Sequence, residues 1–168
     1  IEIGLPRNTK LIVRTTNKPV VVDSSILSYA SISTSNGEIE ITNSSGDFNL
    51  TTTNSEITVR SVTGEINAST TNAHVWFEGV VDKGSNSIST TNGDVSIRLE
   101  DGSNVLVSGN THNGDVTING DDKTIRKDGD TATFTYGTGN EAATMAITNG
   151  PGAIHINPAY ISVFDGDS

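Results

Sequence analysis

No cysteine occurs among the 168 residues, so disulfides, thiolate metal sites and a cysteine nucleophile are excluded. Charge is sparse: 18% of residues carry it, with 10 Lys and Arg against 20 Asp and Glu. Cations that few, spread through a chain of formal net charge −10, cannot form the phosphate-neutralising stripe of a nucleic-acid partner. No apolar run approaches the ~18 residues of a membrane-spanning helix. Nor is there a Gly-x-Ser-x-Gly, a P-loop or a His-Glu-x-x-His motif. Gly137-Thr138-Gly139 lacks the strand-to-helix setting of a dinucleotide site, so no catalytic residue is assigned.

What the chain does contain is 19 Ser, 23 Thr, 17 Asn and 17 Gly, together 45% of its length. That composition resembles disorder, but 17 Ile and 14 Val argue against it, because disordered chains lack β-branched apolar residues. All six residue types are poor or mediocre helix formers, so strands and turns are expected.

A Thr-x-Asn tripeptide recurs, ending at Asn17, Asn36, Asn54, Asn72, Asn92 and Asn113, with a degenerate copy at Asn149. After each of the first six, apolar residues stand three and five positions on, from Val20/Val22 to Val116/Ile118. Before most of them, positions six and four back are apolar too, as in Leu11/Val13 and Phe48/Leu50. Period-two alternation on both sides of a fixed turn means two half-buried strands per repeat. Repeats that cannot bury a face alone must stack. The expected fold is an all-β parallel β-solenoid of about seven coils of 18–21 residues, two main strands to a coil. Each tripeptide marks a corner, and its Asn forms a hydrogen-bonded ladder with its counterparts. Gly37, Gly93 and Gly114 supply permissive corner backbone. The whole of 1–168 reads as one domain, with an inserted hairpin at about 119–140 and a C-terminal cap at about 154–168.

With the apolar positions turned inward, the others form outward columns. One reads Pro19, Glu38, Glu56, His74, Asp94, Asp115. Its carboxylates Glu38, Glu56, Asp94 and Asp115 are either a solvated face or a place for calcium, the one cofactor considered. Arg60, Glu78 and Arg98 read as an ion-pair ladder. The other sheet exposes a nearly uncharged array, including Thr51, Thr53, Ser69, Thr71, Ser89 and Thr91. Such a flat face suits a glycan, a protein or a second copy. Trp76, the only Trp, points outward beside His74 and is a candidate binding anchor, or packs under the 78–85 loop.

Leu5-Pro6-Arg7, Leu11 to Asn17, and above all Asn92-Gly93-Asp94-Val95-Ser96-Ile97 and Asn113-Gly114-Asp115-Val116-Thr117-Ile118 resemble the DUF4097 adhesin-type family of β-solenoids. The resemblance runs from about Leu5 to Ile156. It implies the fold, supplies no catalytic motif, and suggests a non-enzymatic surface or extracellular protein with a binding or structural role. The alternative is a self-assembling solenoid, a bactofilin-like polymer or a sheet-to-sheet dimer, since open solenoid ends are exposed strand edges.

Overall fold

The computed structural model describes residues 4–81, 83–111, 116–118, 126–128, 131–136, 143–150 and 153–158. Every regular element among them is a strand. The chain alternates between two sheets. β1 (Thr9–Arg14), β3 (Leu27–Ser33), β5 (Phe48–Thr51), β7 (Ile66–Ser69), β9 (Ser85–Thr90) and β11 (Val105–Thr111) belong to the first sheet. β2 (Val20–Asp23), β4 (Ile39–Thr42), β6 (Ile57–Thr63), β8 (Val75–Val80), β10 (Val95–Leu99) and β12 (Val116–Ile118) belong to the second. Neighbouring coils pair in parallel with equivalent residues opposite one another, as in Ile39↔Ile57↔Val75↔Val95. The chain is a parallel β-solenoid.

Chain order and spatial order part company near the end. The first sheet has 9 strands in the order β1-β3-β5-β7-β9-β15-β11-β14-β13, and the second has 7, ending β10-β16-β12. β15 (Ala143–Asn149) lies between β9 and β11, and β16 (Ile154–Pro158) lies between β10 and β12. About 5 turns therefore wind in sequence order, and the last coil slots between its two predecessors. This corrects two expectations. The coils are not seven in line, and residues 154–158 form an interior strand rather than part of a cap. Residues 159–168 lie outside the described residues. β13 (Arg126–Asp128) and β14 (Thr131–Tyr136) pair antiparallel, and β14 pairs antiparallel with β11, which makes the first sheet two strands longer than the second.

Between the sheets lies one core. The apolar residues three and five positions after each Asn are sealed from solvent from Ile39/Ile41 through Val95/Ile97. Phe48, Leu50, Ile66, Ala68 and Ile88 face them from the first sheet. The Thr-x-Asn tripeptide splits by parity. Its Thr turns inward at Thr34, Thr52, Thr70 and Thr90, each donating its hydroxyl to a backbone carbonyl of the preceding coil's corner. Burying those hydroxyls is tolerable because each is bonded.

The corner glycines play a different part from the one expected. Gly37 and Gly93 are not among the residues of positive φ; a Cβ at Gly93 would instead run into the Ala73 carbonyl of the coil below. They are needed for close stacking. Left-handed backbone occurs at the opposite corner, in Ser24, Asn43 and Ser61, one above another in the stack.

Candidate functional site

The Asn ladder is continuous through five coils. Asn36 donates to Asn17, Asn54 to Asn36, Asn72 to Asn54 and Asn92 to Asn72, each amide N–H to amide oxygen at 2.7–2.8 Å. Each interior amide so uses one N–H and one oxygen lone pair, leaving one of each for solvent or a ligand. The Asn149 backbone pairs opposite Thr90, two positions before Asn92 in the repeat. Asn113 lies outside the described residues.

Beside the ladder runs the column Glu38, Glu56, His74, Asp94. Backbone bonds tie its members coil to coil, with Ile39 N–H donating to Glu56 O, Ile57 N–H to His74 O and Val75 N–H to Asp94 O. Ladder and column enclose an open groove of about 420 Å³, lined by Glu38, Asn54, Glu56, Asn72, His74 and Asn92, with Ser55 and Ala73 between them.

At one end of the groove, the Asp94 backbone N–H donates to His74 Nδ1 at 2.9 Å. An Asp94 carboxylate oxygen lies 3.5 Å from the same nitrogen. The other Asp94 oxygen accepts the Ala153 N–H at 2.8 Å, and Val95 N–H donates to Ala153 O, so Asp94 fastens the inserted coil.

This arrangement changes the expected acid column. Asp94 is followed by Ala153, not by Asp115, which lies outside the described residues; β16 separates β10 from β12. Among the described residues, no group of three or more His, Asp or Glu is placed to hold a metal ion, so Glu38, Glu56 and Asp94 do not converge on a calcium site.

One column further out are Thr58, Trp76 and Ser96, and beyond Ser96 stands His155 of the inserted strand. Trp76 is 38% exposed, and the Arg60 guanidinium lies 6.0 Å from its ring centroid, within cation–π reach. Thr58 lies opposite Trp76, so Arg60, two positions along the same face, is the diagonal neighbour of that ring; beyond it the register of β6 with β8 resumes at Val62↔Gly79. The expected three-member ion-pair ladder reduces to Arg98–Glu78 at 3.4 Å.

The hydroxyl array lies on the outer face of the first sheet. Thr51, Thr53, Thr71 and Thr91 are exposed. Ser89 donates to Ser69 at 3.0 Å and Ser87 to Asn67 at 2.8 Å, so part of the array is satisfied internally. The inserted β15 continues it with Thr148 beside Ser89. The candidate binding residues thus fall on two faces, Trp76 and His74 on one and the six hydroxyls on the other, meeting only where Thr53, Thr71 and Thr91 adjoin the Asn ladder.

Sequence reasoning missed Asn86. It sits at an inward position, 3% exposed, where its oxygen accepts the Ile66 N–H and its amide donates to Lys83 O and Thr144 O. It bridges β7 to the inserted β15. The only signal was a polar residue at an apolar register position.

Two stacked, mainly parallel sheets with Asn-laddered corners define a β-solenoid built of repeats. The chain belongs to the Toastrack DUF4097 family, whose model matches residues 8–157. No curated protein and no solved structure matches it.

Proposed function

We propose that this chain is a non-catalytic, adhesin-like binding module that works at or outside the cell surface and holds an uncharged glycan along the corner groove. The observation that carries this reading is the groove itself. Unused amide N–H and carbonyl positions recur once per coil beside Glu38, Glu56 and His74, and the half-exposed Trp76 stands one column away. Sugars present hydroxyls to paired donors and acceptors and C–H faces to an aromatic ring, which is the chemistry on offer. The acidic surface disfavours anionic polysaccharides.

A glycan array followed by calorimetry tests it. Trp76→Ala and His74→Ala are expected to weaken binding about tenfold each, with unchanged mass in solution. Retention unaffected by either substitution overturns the groove; absence of any glycan ligand overturns the reading.

Assembly is the second reading, favoured by the edge positions of β1 and β2, each with a strand neighbour on one side only among the described residues. Flush end-to-end stacking is opposed by the step at the other end, where the first sheet has 9 strands and the second 7. Light scattering across a concentration series separates the two readings.

A further inference from the structure

The first coil differs chemically from all that follow. Residues 1–23 hold four of the chain's ten cations, Arg7, Lys10, Arg14 and Lys18, against two acids, Glu2 and Asp23, the latter hydrogen-bonded to Thr42 and Asn43. From residue 24 onward the remaining six cations face eighteen of the twenty acids. Three cations of the later coils are engaged: Lys83 with Asp47 at 3.7 Å, Arg98 with Glu78, and Arg60 over Trp76. In the first coil, Lys10 lies over the Tyr29 ring, and none of its four cations has a carboxylate partner among the described residues.

Among the described residues, the same coil carries the most exposed large apolar side chains. Ile12 on β1 is 57% exposed and Val21 on β2 is 62% exposed. Leu5, Leu11, Val13 and Val20 pack on the core but are only half-buried, since no described coil lies beneath them.

We propose that the first coil is an end-on docking surface for a bilayer containing anionic phospholipid. A protein of net charge −10 is repelled by such a bilayer in most orientations. Concentrating its unpaired cations at one end gives the rod a polarity that turns that end to the surface. Lys and Arg there meet headgroup phosphates, while Ile12 and Val21 enter the interface from opposite sheets. One coil is about 5 Å thick along the stack, which matches the roughly 5–10 Å depth of interfacial elements. The β1 and β2 edges, unpaired among the described residues, stop in the hydrated headgroup layer, because the hydrocarbon layer does not tolerate open strand edges.

A soluble anion would satisfy the cations but not the exposed apolar residues. A second copy docked head to head would set like charges against each other. The docking is independent of what the corner groove holds.

The test is co-sedimentation of the whole chain with vesicles of phosphatidylcholine alone and of phosphatidylcholine mixed with phosphatidylglycerol, at low and high salt. Binding is expected only to the mixed vesicles and is expected to fall with salt. Lys10→Glu/Arg14→Glu should lower it about tenfold or more. Lys83→Glu/Arg98→Glu changes the net charge equally and should lower it much less. Ile12→Ser/Val21→Ser should also weaken it at unchanged charge. Circular dichroism checks that each variant is folded, and Arg7→Glu/Lys18→Glu, which alters no strand residue, replaces the first pair if that pair unfolds. Equal losses in the two charge variants, binding to neutral vesicles, full competition by free glycerol phosphate, or no binding to either vesicle overturns the proposal. A dimer abolished by the Ile12 and Val21 substitutions would assign the surface to a second copy instead.

Discussion

The first and third coils place the same register columns in different surroundings. Leu11 and Val13 of the first coil are half-buried, whereas Phe48 and Leu50, two coils along the same columns, are sealed. Asn17 has one ladder bond, whereas Asn54 has two. In a solenoid each coil is half of its neighbour's core, so an end coil loses half its partners whatever its sequence. What sequence can alter is the surface left over. Here the first coil shows Lys, Ile and Arg where the third shows Asn and Thr.

The sharpest way to break the comparison is to remove core volume from both ends of one column. Leu50→Ala is expected to lower stability by about 2–5 kcal/mol. Val13→Ala, half-exposed beforehand, should cost about 1 kcal/mol. Urea unfolding measures both, and equal losses would mean that the first coil is as well covered as the third.

The ladder gives a smaller effect. Asn54→Ala severs two exposed amide bonds and should cost about 1–2 kcal/mol, with Asn17→Ala costing about half of that. Thermal unfolding of the two variants side by side reads the ratio.

The smallest effect is set by pH. Asp23 ends β2 and accepts hydrogen bonds from Thr42 and Asn43 of the second coil and from Ser24. The Thr42 hydroxyl first, then the Asn43 amide and the Ser24 hydroxyl, hold its carboxyl below the usual value of 3.8. A depressed folded pKa contributes stability that is present above the unfolded value and lost as pH falls through the folded one. Amide protection in the first coil, at Asn8 and Ser24, should therefore decline below pH ~4 while the third coil holds. Asp23→Asn should flatten that decline; an unchanged profile would detach Asp23 from the tie between the coils.

Most of the fold was legible because its signal is local. Strict alternation around a recurrent corner put Val75, Phe77, Val95 and Ile97 inside and Trp76 and Ser96 outside, and all are so placed. The same reasoning recovered five rungs of the Asn ladder. The register of Thr148-Asn149-Gly150, with Asn149 opposite Thr90, was not legible, since such a string does not reveal it until the strand it pairs with is known. That reasoning read Arg60 as a member of an ion-pair ladder, whereas the guanidinium lies 6.0 Å from the Trp76 ring centroid, its diagonal neighbour across the strand pair. The candidate site was half legible: Glu38, Glu56 and His74 were read as a column, but the groove that they share with Asn54, Asn72 and Asn92 depends on how the corner folds.

By itself the sequence determined what each residue faces, because period-two alternation and the tripeptide corner act within a single coil. The order in which the coils stack was decided only by the tertiary structure. In-register parallel pairing uses backbone N–H and C=O groups that every coil offers alike, so β9 and β10 are as ready to accept β11 and β12 as β15 and β16. The choice rests on contacts between residues far apart in the chain, Asn86 with Thr144 and Asp94 with Ala153, which become visible only when the last coil is in place.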